Sequence, residues 1–72
     1  MAINYTRSDR GHRLFEFAGS RYSAFWLNLG HEWSIREIGP DGAPTGRQWH
    51  QKNWQAVESF MAWLAKCDGR AA

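Results

Sequence analysis

RQWHQKNWQAVESFMAWLAK, residues 47–66, decides how this chain folds, because two periodicities meet inside it. Up to Gln51 the residues alternate, with Arg47, Trp49 and Gln51 opposite Gln48 and His50. Period two is the signature of a strand. Beyond Asn53 the period changes. Val57, Phe60, Met61 and Leu64 follow i, i+3, i+4, i+7 spacing, and Trp54 joins the stripe one turn earlier. That is one face of an amphipathic helix. Asn53 suits the N-cap, where its side chain accepts a bond from an otherwise unpaired backbone N–H. Gly69 suits a left-handed helix end. The spacing predicts a short strand over 46–51 and a helix over 53–67. Trp63 should lie half covered on the flank of the stripe, and Cys67 at its edge as a small packed hydrophobe.

Working back from there, GPDGAPTG (39–46) is a loop by composition, rich in glycine and proline. HEWSIREI before it alternates, Trp33 and Ile35 against Glu32, Ser34 and Arg36. RYSAFWLNL (21–29) is strand-like and aromatic, with Phe25, Leu27 and Leu29 on one side and Tyr22, Ala24, Trp26 and Asn28 on the other. HRLFEFAG alternates as well, with Arg13, Phe15 and Phe17 together, and Gly19-Ser20 reads as a tight turn. Residues 1–10 show no sustained period and read as an arm or edge segment. Consecutive strands with short connections pair as an antiparallel meander. The expected fold is therefore α+β: one domain over 1–72, a four-stranded antiparallel meander over 12–51, and one C-terminal helix packed on one face. Apolar bulk then assigns the core to Phe15, Phe17, Phe25, Leu27, Trp33, Ile35 and Trp49 beneath Trp54, Val57, Phe60, Met61 and Leu64.

Composition explains the aromatic investment. A chain of 72 residues buries a modest share of its surface, and its single cysteine permits no internal disulfide. Five Trp, four Phe and two Tyr must supply much of the stability instead. Each buried aromatic side chain contributes roughly 1.5–3 kcal/mol of transfer free energy. The formal net charge of +2 is milder than that of most nucleic-acid binders. No stretch approaches a membrane span and no apolar run follows the N-terminus, so neither a membrane nor a signal peptide is expected. A lone thiol suits a reducing cytoplasm.

Catalytic chemistry finds little purchase. His12, His31 and His50 are regularly spaced but match no ligand pattern, and no metal or other cofactor is expected. Cys67 sits near the helix C-terminus, whose dipole disfavours a thiolate. No nucleophile elbow or phosphate loop appears. We therefore expect no enzyme. One helix covers one sheet face, which directs attention to the other. On the assignment above that face carries Leu14, Tyr22, Trp26, Arg36, Gln48 and His50. Tyr, Trp and Arg are enriched among interface hot spots. Tyr22, Trp26, Arg36, Gln48 and His50 are thus the expected partner-binding residues, with Arg7, Arg10, Arg13, Arg21 and Arg47 as further basic contacts. Residues 1–10 folded over the face, or a homodimer, would hide it.

Residues 33–69, WSIREIGPDGAPTGRQWHQKNWQAVESFMAWLAKCDG, resemble in layout certain small phage-encoded anti-CRISPR proteins. In these a strand, a glycine-bearing hairpin and a strand ending in Arg-x-aromatic run into a helix with an aromatic near its end. The matching positions are Ile35, Gly42, Arg47, Trp49, Phe60 and Trp63. The resemblance implies a stoichiometric inhibitor in the cytoplasm of a bacterial host. It would dock on a CRISPR effector subunit and block target DNA binding or nuclease recruitment. It brings no contact residue with it, and the positive charge implies steric docking rather than mimicry of DNA. The segment from Tyr22 to Lys66 is also similar to sheet-reading DNA modules such as the AP2 domain and the arm-binding domains of tyrosine integrases. The alternative is accordingly a small accessory protein that binds double-stranded DNA, with Arg21, Arg36, Arg47, Tyr22 and Trp26 in the groove.

Overall fold

A computed structural model describes residues 3–69. Five strands precede one helix: β1 (Asn4–Ser8), β2 (His12–Phe17), β3 (Ser20–Leu27), β4 (Glu32–Ile38), β5 (Pro44–Gln51) and α1 (Trp54–Cys67). The strands form a single sheet in the order β1-β2-β3-β4-β5, every neighbouring pair antiparallel. The meander and the C-terminal helix are as expected, but the sheet has five strands and not four. The extra strand comes from the segment left open as arm or edge; Met1 and Ala2 lie outside the described residues. A bulge conceals its periodicity. Tyr5 opposes Phe15 while Arg7 opposes Leu14, so Thr6 is an inserted residue and the alternation breaks at mid-strand.

The β2–β3 turn sets the faces of the sheet. Ala18 and Gly19 have φ of 50° and 83°. Left-handed backbone at both central residues marks a two-residue turn of the type that matches strand twist. Such a turn pairs Phe17 with Ser20, Phe15 with Tyr22 and Arg13 with Ala24. Directly opposed residues share a face, so Tyr22, Ala24 and Trp26 go with Phe15 and Phe17. The β3–β4 pairing continues the pattern, Ala24 opposite Ile35 and Trp26 opposite Trp33.

This overturns the expected orientation of β3. Tyr22 is only 1% exposed and lies in the core, and Trp26 packs half-buried against it. Phe25 and Leu27, expected in the core, are 41% and 39% exposed on the opposite face. Apolar bulk favours Phe and Leu for burial, but turn geometry fixes side-chain parity, and a one-residue slip would reverse every side chain on the strand.

Helix α1 covers the Tyr22 face. Asn53 caps it as expected: its Oδ1 accepts from the Ala56 N–H at 2.8 Å. At the other end Gly69 adopts φ 72°, and the Asp68 and Gly69 N–H groups donate to the Leu64 and Lys66 carbonyls. Val57, Met61, Leu64 and Ala65 are buried, while Phe60 is half-buried between Trp49 and Trp63. Trp63 is mostly exposed and Cys67 is exposed rather than packed. Trp54 reaches the far edge of the sheet, where its Nε1–H donates to Tyr5 Oη at 2.7 Å. That bond latches β1 to the helix.

Two stability predictions follow from this packing. Met61→Ala empties a fully buried site and should cost about 2–5 kcal/mol in chemical denaturation. Gly19→Ala places a Cβ on a left-handed residue and should cost about 1 kcal/mol; an unchanged midpoint would show that the turn does not set the register.

Candidate protein-docking face

The face away from the helix is built in cross-strand rows. One row runs His12, Phe25, Ser34, His50. The next runs Arg7, Leu14, Ser23, Arg36, Gln48. A third carries Asn4, Glu16, Arg21, Ile38 and Pro44, and Leu27 opposite Glu32 completes the face at the other end. Ser23 and Ser34 are small and buried although no element covers them, because larger neighbours overhang them. Ser23 Oγ lies 3.3 Å from His12 Nε2, and Ser34 Oγ accepts from Gln48 Nε2 at 3.0 Å. Those contacts satisfy both hydroxyls and hold the rims of a trough.

Phe25 is the anchor of this trough. It stacks face to face on His12, with ring centroids 4.1 Å apart and planes 8° from parallel. The imidazole thereby fixes one side of the phenyl ring and leaves the remainder in solvent. A groove of about 400 Å³ runs beside it, lined among others by Leu14, Ser23, Arg21 and Ile38. A preorganised apolar ring loses little entropy on contact, the condition for a useful docking anchor.

Of the expected partner-binding residues, Arg36, Gln48 and His50 lie together on this face. Tyr22 and Trp26 do not; they are on the helix side. Segment β1 pairs beside β2 rather than folding over the face. Phe25, Leu27 and His12 are the residues that sequence reasoning missed. The signal that could have found them is turn parity, since any two-residue turn between Phe17 and Tyr22 opposes odd-numbered residues to even-numbered ones.

The five arginines expected as basic contacts are scattered. Arg7 pairs with Asp9, and Arg13 lies under the helix with its guanidinium 4.3 Å from the Trp54 ring and 4.9 Å from Trp33. Arg13 is therefore a packing element, not a surface contact. Arg21 donates to the Gly39 carbonyl at 3.2 Å, pinning the β4–β5 loop. Arg10 is exposed at the β1–β2 turn. Arg47 grips Asp68 through both terminal nitrogens at 3.1 and 3.3 Å and reaches Glu37 at 3.4 Å. The Asp68 hydrogen bonds, aided by the charges of Glu37 and Asp68 and opposed by desolvation, hold the Arg47 guanidinium above its usual pKa. With its carboxylate partners ionised, a base raised in the fold contributes stability below its unfolded value, so on the alkaline side this clamp is lost only under strongly alkaline conditions. It ties β4 and β5 to the end of the helix.

The face itself is nearly neutral. Glu16 opposes Arg21 across the β2–β3 pair, and Glu32 lies 3.9 Å from His50. Arg36 has no ion-pair partner among the described residues. No helix among the described residues is long and apolar enough to cross a membrane.

No family model, no curated protein and no solved structure matches this chain.

Arg47→Ala tests the structural role of that arginine. Its side chain is 42% exposed, so solvent screens the pair and the loss should stay near or below about 1 kcal/mol, shrinking further in high salt. Denaturation at low and high salt reads both effects.

Proposed function

We propose that this protein is a non-enzymatic binding module that docks on a partner protein through the uncovered face of its sheet. The observation that carries this is Phe25: a ring stacked on His12, exposed beside Leu27, on the sheet face that the helix leaves open. The complementary partner surface is apolar, with a carboxylate placed to meet Arg36. The resemblance in layout to small anti-CRISPR proteins over residues 33–69 favours a more specific form. In that form the protein is a phage-type inhibitor in the bacterial cytoplasm that sits on a CRISPR effector subunit and blocks target DNA binding or nuclease recruitment.

Size argues for how it docks. A five-stranded face with strands of 5 to 8 residues spans roughly 20–24 Å each way, so its projected area is on the order of 500 Å². A standard interface takes about 800 Å² from each partner. A contact of that size takes up the whole face and has reason to extend past it. The β3–β4 hairpin is the natural extension, because Leu29 at its tip is fully exposed next to Leu27.

The DNA-binding alternative draws less support. Glu16 and Glu32 lie on the open face and would confront phosphates. Of the cations such a role would use, Arg47 is engaged with Asp68 and Arg21 with the Gly39 carbonyl.

Binding of the purified protein to CRISPR effector complexes, measured alongside a salt-titrated DNA-binding assay, tests the proposal. Phe25→Ala should weaken partner binding by about 30-fold or more, as expected for an interface hot spot. Its melting temperature should barely move, and Trp63→Ala on the outer side of the helix should bind normally. Wild-type affinity in Phe25→Ala would discard this face as the docking site. DNA affinity that falls steeply with salt would point to the alternative.

A further inference from the structure

Three connections converge at the end of the sheet opposite the Ala18–Gly19 turn. They are the β1–β2 turn with Arg10 and Gly11, the β3–β4 hairpin with Asn28, and the β5–α1 junction with Lys52 and Asn53. Between them opens a cavity of about 780 Å³ whose apolar wall is Trp26, Trp33 and Trp54. This volume falls within the range of roughly 300–1,000 Å³ found for small-molecule sites. It lies on the helix side of the sheet, apart from the Phe25 trough.

The wall is rigid. Trp33 meets Trp26 edge to face at 5.6 Å and Trp54 at 4.8 Å. The Arg13 guanidinium lies against both Trp33 and Trp54 and fixes their planes. Trp26, like Trp54, is half-buried, and among the described residues its indole N–H has no hydrogen-bond acceptor. It can offer a ring face and a donor to something that enters.

The rim is cationic. Arg10 and Lys52 are exposed, and neither has an ion-pair partner among the described residues. Helix α1 begins at the same place, and its first turn contains no acidic residue to offset the backbone N–H groups that the Asn53 cap leaves unpaired. The nearest carboxylates in sequence are engaged elsewhere: Asp9 holds Arg7, and Glu32 lies near His50 on the opposite face. An anion at this rim therefore meets two cations and a helix N-terminus, while its other end meets indole.

From this arrangement we infer that the cavity binds a nucleotide unit, with the base stacked on Trp26 and the phosphate met by Arg10 and Lys52. A bare anion would leave the aromatic wall unused, and a neutral ring would leave the cations unused. A nucleoside phosphate carries both halves. Stacking on an aromatic side chain contributes roughly ten- to a hundredfold in affinity per base, with little regard to which base it is. Free nucleotide and the exposed base of a single strand share this chemistry.

Quenching of tryptophan fluorescence at low salt provides the assay, with AMP, adenosine, inorganic phosphate and a short single-stranded oligodeoxyadenylate as ligands. AMP should bind more tightly than adenosine or phosphate. Arg10→Glu and Lys52→Glu should each weaken AMP by about tenfold or more, as loss of a phosphate contact predicts. Both residues are surface groups without partners, so circular dichroism should be unchanged; Lys52→Gln gives a milder version should the reversal disturb folding. Phe25→Ala should leave AMP affinity intact, which separates this site from the docking face. Oligonucleotide binding at least tenfold tighter than AMP would assign the site to single strands, and equal affinity would assign it to free nucleotide. Absence of quenching by both AMP and oligonucleotide at millimolar concentration would overturn the inference. So would AMP affinity indifferent to both charge reversals, or phosphate alone binding as well as AMP.

Discussion

The Ala18–Gly19 turn is the constraint on which the rest of the molecule depends. With only two residues between β2 and β3, the turn leaves the pairing no freedom of parity: Phe15 must face the same way as Tyr22. Everything else then follows by propagation across the ladder. Tyr22 and Ala24 enter the core with Ile35, Trp26 meets Trp33, and Phe25 and Leu27 are turned outward. A strand with large apolar residues on both faces cannot bury both beneath one helix. The turn decides which set is covered, and the other set is left exposed. The core and the exposed apolar face of this small domain thus descend from the same pair of left-handed residues.

Within the covered layer the aromatic residues form a continuous network rather than a pile. One chain of ring contacts runs from Tyr5 through Phe15 and Trp54 to Trp33 and Trp26; another runs from Tyr22 through Trp49 and Phe60 to Trp63. Tilted and edge-on geometries dominate, as the ring quadrupole favours. Into the first chain the protein inserts Arg13, whose buried Nε has no hydrogen-bond partner. Stacking between Trp33 and Trp54 offsets part of that cost, since a guanidinium held over an indole face is attracted by it. The tryptophans thereby serve two ends at once. Their inner faces consolidate a core too small to stand on aliphatic residues alone, and at the sheet end the outer ones wall a cavity.

The helix was fully legible in the sequence because every local cue agreed: the stripe from Trp54 to Leu64, the Asn53 cap and the Gly69 terminus. The orientation of β2, β4 and β5 was legible too, since each has one plainly more apolar side. Strand β3 was not, because Tyr22, Ala24 and Trp26 compete with Phe25 and Leu27, and hydropathy cannot rank an amphipathic phenol or indole against a phenyl. Strand β1 escaped periodicity through its bulge at Thr6. Arg36, Gln48 and His50 are legible on the open face because their strands each have one more apolar side, whereas Phe25 is not, because hydropathy alone assigns it to the core. The end cavity could not be seen at all, because Arg10, Trp26 and Lys52 are brought together only by three separate connections.

The hydrogen bond between Trp54 and Tyr5 has a consequence for the order in which a nascent chain acquires its structure. Its two partners are 49 residues apart. As the polypeptide leaves the ribosome, the β2–β3 hairpin has all its residues early, but the first strand has no latch until the helix has emerged. The outer edge of β1 is unpaired in the folded sheet as well, and the Thr6 bulge, with its hydroxyl turned back to the Leu14 carbonyl, makes that edge a poor template for a neighbouring chain.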